Sequence, residues 1–312
     1  MKKKLLSIAL LCSSAFAAIA QQNYKPFDYL DLGISAGSTG LGIELAAPIS
    51  DAFRVRAGFS FMPEVDVKMN FGIEGRKQDE NGNWVPTKFD SMAGKFQDFL
   101  GLEINDNIDM LGTPNFYNGN LLVDYYPIKN SNFHITAGFY IGPSKVASAC
   151  NTIEEMPSLL GVTLYNNLYD KIANGEPIYN DIYLAPEIEE KFLNNGRLGI
   201  HIGDRVDTGE PYMMVPDENS TVKADIFVNA FKPYIGVGYD GLVSKKNNNI
   251  RIGFDAGVMF WGGTPEIITH DGTNLAKDVE NIGGKVGRYV EFAKGLKVYP
   301  VINLKISFRL YD

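Results

Sequence analysis

Cysteine is almost absent from the chain: its 312 residues contain Cys12 and Cys150 and no other. Histidine is scarce too, with three residues. Beyond residue 20 no stretch approaches the roughly 18 consecutive apolar residues of a membrane helix. Each shortage excludes something. A secreted chain whose mature part holds one cysteine has no internal disulfide. So few imidazoles leave little material for a His-based metal or catalytic centre. Without a long apolar run, any membrane crossing must use strands.

The N-terminus reads as a secretory signal peptide over residues 1–20. Lys2, Lys3 and Lys4 precede an apolar run from Leu5 to Leu11, and Ala18-Ile19-Ala20 supplies a small-x-small cleavage site before Gln21. Cys12 raises a lipoprotein alternative. Against it, Leu10 and Leu11 are bulky where such signals use small residues, and the apolar run continues to Ala20. The leader takes three lysines and no acid with it, so the net charge of −8 becomes −11 in residues 21–312. That sign argues against nucleic acid as a partner.

What is present is alternation, glycine and aromatics. The chain has 32 glycines and is 12% Phe, Trp and Tyr. Both enrichments suit a barrel, with small residues inside and aromatic girdles at the interfaces. Period-two patterns mark eight segments. Leu30, Leu32, Ile34 and Ala36 share a face, as do Leu41, Ile43, Leu45 and Ala47. Residues 53–61 alternate without a break, and Leu121, Val123 and Tyr125 mark a weaker segment over 117–126. Phe133 to Ile141, Phe231 to Tyr239, Ile250 to Phe260 and Ile302 to Leu310 complete the set. The expected fold is therefore all-β: a closed, antiparallel, eight-stranded transmembrane barrel. Its connections sort by length. Those at 50–51, 129–132 and 244–249 are short. On the other side only 38–40 is short, and the rest run about 62–116, 143–226 and 263–297. Short periplasmic turns and long outer loops are the outer-membrane arrangement, with both termini periplasmic.

The long loops carry their own signals. Val65 to Ile73 alternates, and Asn81-Gly82 suggests a two-residue hairpin that lifts the third strand above the membrane. Asp90 is placed to cap a short helix through Leu100. Thr152 with Glu155 forms a capping-box pattern opening a helix through Ala173. Pro186 to Gly196 reads as another helix. Thr221 to Asn229 alternates and would prolong the sixth strand outward. Leu275 to Leu296 reads as helix with a break at Gly283-Gly284. With apolar positions such as Phe96, Phe99, Leu159 and Leu160, these elements are expected to fold into a cap.

The stretch Asn118-Gly119-Asn120-Leu121-Leu122-Val123-Asp124-Tyr125-Tyr126-Pro127, followed by Phe133-His134-Ile135-Thr136-Ala137-Gly138-Phe139-Tyr140, resembles a family of small outer-membrane β-barrel proteins of Bacteroides-type bacteria. Lys232 to Gly238 and the ending Tyr299 to Leu310 are similar to that family too. The resemblance covers the strands and little of the loops. It implies barrel and location and no particular activity. It also implies assembly by the barrel-assembly machinery, which reads a terminal aromatic residue; here Tyr311 is followed by Asp312.

The inward positions hold the most distinctive chemistry. Acids there are Asp31, Glu44, Asp124 and Asp255; bases are Arg54, Arg56, Lys232, Arg251, Lys305 and Arg309. An eight-stranded barrel is just wide enough to be filled by side chains, so these charges are expected to pair. The result is either a plug or, alternatively, a gated ionic path. His134 faces inward, while His201 and His270 fall in different outer loops with no nucleophile arrangement beside them. Asp79-Glu80-Asn81-Gly82-Asn83 imitates the start of a calcium loop, but Trp84 stands where Gly is needed and no Glu follows at the twelfth place. The charged stretch Asp204 to Glu218 reads as a solvated loop, with weak calcium binding by its acids as the alternative. Asp90-Ser91-Met92 is similar to the O-glycosylation signal of Bacteroides-type bacteria, making Ser91 a candidate. No catalytic residue, cofactor or metal site is expected. The reading is a surface structural or recognition protein acting through its outer loops. Its expected partners are outer-membrane lipid, lipopolysaccharide and an unidentified surface component. A transporter or channel for small or apolar ligands is the alternative, and a membrane enzyme a third.

Overall fold

The computed structural model describes residues 26–88, 107–244 and 247–311. The signal-peptide reading, the Asp90–Leu100 helix, Phe96, Phe99 and Ser91 fall outside those residues. In chain order the elements are β1 (Leu30–Gly37), β2 (Gly40–Ser50), β3 (Phe53–Phe61), β4 (Val67–Gln78), β5 (Trp84–Lys88), β6 (Asn107–Pro114), β7 (Tyr117–Tyr125), β8 (Phe133–Ile141) and β9 (Lys145–Asn151). Helices α1 (Met156–Ala173) and α2 (Pro186–Asn194) follow. Then come β10 (Leu198–Arg205), β11 (Pro211–Met214), β12 (Lys223–Phe227), β13 (Phe231–Ser244) and β14 (Asn247–Met259). The chain ends with β15 (Glu266–Thr269), β16 (Val279–Glu280), α3 (Gly284–Gly295) and β17 (Tyr299–Tyr311).

Eight strands close into a barrel in the order β1-β17-β14-β13-β8-β7-β3-β2, every pair antiparallel. They are the eight segments marked by alternation. Each barrel strand neighbours the one before and after it, and β17 returns to β1. The two faces separate by chemistry. Ile34, Ile43, Phe59, Ile235, Ile252, Phe254, Leu304 and Ile306 stand exposed on the outside. Asp31, Arg54, Arg56, Asp124, Asp255 and Lys305 are buried within. Water would not sustain an apolar exterior of this extent, and hydrocarbon would.

The long connections do not form a helical cap alone. They build a second, nine-stranded sheet along the path β11-β10-β4-β6-β9-β12-β15, with β5 joined to β4 and β16 to β10. Three separate connections thus share one sheet. Its core holds Ile73, Ile108, Met110, Leu159, Val162, Tyr165, Leu198 and Ile200, so α1 packs on the same core as the strands. Asn166 ties helix to sheet with both halves of its amide, donating to the Leu198 carbonyl at 2.9 Å and accepting the Leu198 N–H at 2.8 Å.

Several local expectations change. β4 does not prolong β3, because Pro63 interrupts the chain just beyond the barrel and offers no N–H to a ladder. β12 likewise belongs to the outer sheet, separated from β13 at 228–230. The β4–β5 connection spans 79–83 rather than two residues: the Asp79 carboxylate accepts the N–H groups of Asn81 (2.8 Å) and Asn83 (2.9 Å). Those bonds, Asn83 first, hold the Asp79 carboxyl below its ordinary range. Gly82 takes a left-handed φ of 83°. α1 runs to Ala173 as expected, but the capping box does not form. A 3-10 turn over Ile153–Glu155 intervenes, and Thr152 makes no side-chain cap. Pro157 sets the helix start instead. Helix α2 falls where Pro186 and Gly196 placed it. Only Gly284–Gly295 of the 275–296 region is helical; before it, β16 pairs with β10 at Asp204 and Arg205. The stretch from Asp204 is a β10–β11 hairpin in part, with Asp204 opposite Pro211.

The register yields a paired test on β14. Phe254 faces outward, so Phe254→Arg should cost about 2–4 kcal/mol near a bilayer midplane. Gly253 faces inward, where any β-carbon would overlap Asp240 Oδ1, so Gly253→Ala should destabilise by crowding instead. In a Cys150→Ser background, Phe254→Cys should react with a lipid-phase reagent and resist water-soluble maleimide. The reverse pattern would refute the register.

Candidate functional site

The barrel interior gathers the charges that strand alternation turns inward. Arg56 on β3 lies at the centre. Its guanidinium donates to Asp124 (2.9 and 3.1 Å), to Asp255 (2.8 Å) and to Glu44 (3.4 Å). Thr136 on β8 donates to the same Asp124 oxygen at 2.7 Å. Two residues along, Arg54 bonds Asp31 (2.8 Å) and Asp240 (3.4 Å). Lys305 on β17 bridges the two groups, reaching Asp240 (3.1 Å), Asp255 (3.3 Å) and Glu44 (4.0 Å). Arg309 closes the far end on Asp31 at 3.2 Å, its guanidinium 3.7 Å over the Tyr29 ring.

The structure therefore joins Asp31, Glu44, Arg54, Arg56, Asp124, Asp255, Lys305 and Arg309 in one network. Lys232 stands apart: its buried ammonium donates to Asn118 Oδ1 (3.1 Å) and the Ala230 carbonyl (3.3 Å) and meets no carboxylate among the described residues. Arg251, half-buried, forms no ion pair among the described residues either. Sequence reasoning missed Asp240, although it alternates with outward Tyr239 on β13 and so carries the same signal as Asp255. His134 joins as well, with Nε2 3.1 Å from Asp255 and 4.0 Å from Asp124.

Space is as scarce as free charge. The cavity beside Arg56, Glu44, Tyr140 and Asn303 measures about 20 Å³, room for about one water. On the side of the long connections the lumen is packed with apolar and aromatic side chains. Phe116, Leu122, Tyr140, Tyr234, Met259 and Val301 form one buried cluster, joined by Met62 and Tyr299. Tyr140 meets Tyr234 edge-on at 5.5 Å, and Tyr299 touches both Phe116 (5.1 Å) and Trp261 (5.0 Å). The interior thus holds two layers, an ionic one and, nearer the long connections, an aromatic one.

The nine-stranded sheet carries polar clusters of its own. Asp225 on β12 receives Ser148 Oγ (2.6 Å) and faces Lys223 (3.3 Å) and Lys145 (3.6 Å). Burial opposes its ionisation, but those partners hold its carboxyl below the usual range. Tyr212 donates to Asp271 at 2.9 Å, and burial pushes its phenol up to about 12. His201 Nδ1 lies 3.5 Å from Glu74. It borders a cavity of about 130 Å³ together with Phe71, Ile202, Asn281 and Val286. His270 Nε2 faces the Val215 carbonyl at 2.8 Å. No group of three or more metal-ligating side chains occurs among the described residues.

No protein-family model and no curated protein sequence matches this chain. Solved structures with some likeness are outer-membrane proteins. CarO2 of Acinetobacter baumannii is 14% identical with a TM-score of 0.39, over 92% of this chain and 100% of its own. A major outer membrane protein from Thermus thermophilus is 9% identical, TM-score 0.30, over 90% and 98%. Ail, the attachment invasion locus protein of Yersinia pestis, solved with the heparin analogue sucrose octasulfate, is 6% identical, TM-score 0.26, over 90% and 94%. These overlaps are loose; the barrel assignment stands on the strand pairing.

Breaking a buried ion pair from one side strands the other charge, at about 3–5 kcal/mol. Arg56→Met should therefore destabilise the barrel by that order, because Asp124 loses its closest cation while Asp255 keeps Lys305 and His134. Arg309→Met, at the partly open end, should cost less. Gel heat-modifiability against a urea series reads both, and equal midpoints would contradict the central place given to Arg56.

Proposed function

We propose that this chain is an outer-membrane protein that displays a folded recognition module on the cell surface. The barrel is its anchor: closed, so that no backbone edge meets lipid, apolar outside, and filled within. On this reading residues 1–20 direct export, the short turns and both termini face the periplasm, and the nine-stranded sheet faces outward. The observation that carries the proposal is that sheet. Three connections combine into one layer with its own hydrophobic core, which anchoring alone does not require. Structured loops of this length are ordinarily functional. The transport alternative needs a continuous path; against it stand the paired charges and the packed aromatic cluster in the lumen, where the cavity beside Arg56 has room for about one water.

The three connections depend on one another, so removing one alone should unravel the module. Replacing 63–115, 143–229 and 262–297 together by short Gly/Ser turns should leave a heat-modifiable barrel that inserts and no longer binds surface or host components. The measurements are gel mobility and binding of labelled extracts to immobilised protein. A trimmed barrel with unchanged binding would move the function elsewhere. In a planar bilayer the intact protein should give no steady conductance. A reproducible channel step, abolished by substituting Arg54 or Glu44, would overturn the closed lumen.

A further inference from the structure

Charge is distributed against the chain's overall sign in one place. The protein carries −8 overall, yet residues 284–297 hold Lys285, Arg288, Lys294 and Lys297 against Glu291 alone. Lys294 neutralises that acid at 3.0 Å. Most of this segment is helix α3. Gly287 and Val290 are buried, and Val286 and Ala293 pack against the same outer core, which settles which face is turned down. The opposite face presents Lys285, Arg288, Tyr289 and Phe292, spaced 0, 3, 4 and 7 and all exposed. Tyr289 is 49% and Phe292 66% exposed.

The helix is held at the barrel rim. At its C-terminus the Leu296 carbonyl accepts the Trp261 indole N–H at 2.8 Å. Three residues further, Tyr299 begins β17 against the Trp261 ring. Three residues span at most about 10 Å, so this end of α3 lies close to where the apolar belt of Ile302 and Leu304 begins. Two cations and two aromatics on one helical face, at the border of a lipid-facing belt, are the composition of an interfacial helix. Aromatic rings sit at the headgroup level while Lys and Arg reach phosphate.

We propose that α3 is an interfacial helix whose exposed face binds the phosphorylated glycolipid headgroups of the outer leaflet. Lys285 and Arg288 contact phosphate, and Tyr289 and Phe292 enter the acyl border. The proposal rests on the outer-membrane reading and adds a site to it. Charge complementarity and continuity with the lipid-facing belt select this occupant over an acidic soluble partner.

The test titrates the full refolded protein in detergent with diphosphorylated lipid A and counts bound lipid by native mass spectrometry. Wild type should bind saturably. Lys285→Gln and Arg288→Gln should each raise the half-saturating concentration about fivefold, and together about twentyfold, with heat-modifiability unchanged. Phe292→Ala should raise it by less. Dephosphorylated lipid A should bind like the double variant, and inorganic phosphate should not compete. Unchanged binding by Lys285→Gln/Arg288→Gln, or full competition by inorganic phosphate or by an acidic peptide, would overturn the site while leaving the barrel reading intact. A chain that neither becomes heat-modifiable nor inserts into bilayers would overturn the outer-membrane reading and this site with it.

Discussion

Everything in this protein depends on the seam where β1 meets β17. An open sheet in hydrocarbon would leave a row of unpaired N–H and C=O groups on each edge, and the bilayer supplies no partner for them. The seam removes both edges, joining Asp31 to Arg309 and Gly37 to Asn303 in one antiparallel ladder. The interior chemistry crosses the same line. Arg309 on one side of the seam bonds Asp31 on the other, and Asp31 passes the connection on to Arg54. Backbone closure and charge pairing thus hold the same two strands together.

Closure at eight strands then dictates what fills the barrel. The interior of so small a ring accommodates side chains and little else, so an inward charge has no water to hide in. The solution adopted is mutual neutralisation: each buried cation in the network touches more than one acid or an acid and an aromatic ring. Glycine makes the crowding tolerable where side chains oppose one another; Gly238 leaves room for His134 and Asp255, and Gly253 leaves room for Asp240. Such an interior leaves little free space, and on the proposed reading encounters fall to the nine-stranded sheet and the rim.

How much of this was legible in the sequence follows from how local each signal is. A lipid-facing strand alternates residue by residue, so Ile250 to Phe260 and Ile302 to Leu310 declare themselves without reference to their partners. Inward charges follow from the same alternation, and Asp240 lies just past the run Phe231 to Tyr239, so that run does not mark its direction. The outer sheet was not legible. Apart from β4 its strands have eight residues or fewer, two in β16, and β10 and β11 are largely buried on both faces. Their partners lie in other loops, so nothing near β4 announces β10. Thr152 and Glu155 satisfy the capping-box spacing, yet Pro157 decided where the helix began. Network membership of Lys232 and Arg251 was beyond reach for a different reason: alternation tells which way a side chain points and not how far along the barrel its counter-charge stands.

The order of strands in the outer sheet has a consequence in time. Along the chain, β4 and β6 come first and pair with each other. Next β9 joins β6, β10 joins β4, β11 joins β10, β12 joins β9, and β15 arrives last beside β12. Every new main-path strand lands on an edge that is already exposed, and none has to be threaded between neighbours that have paired. A chain delivered N-terminus first can build this layer outward in both directions as it emerges, without undoing a contact once made.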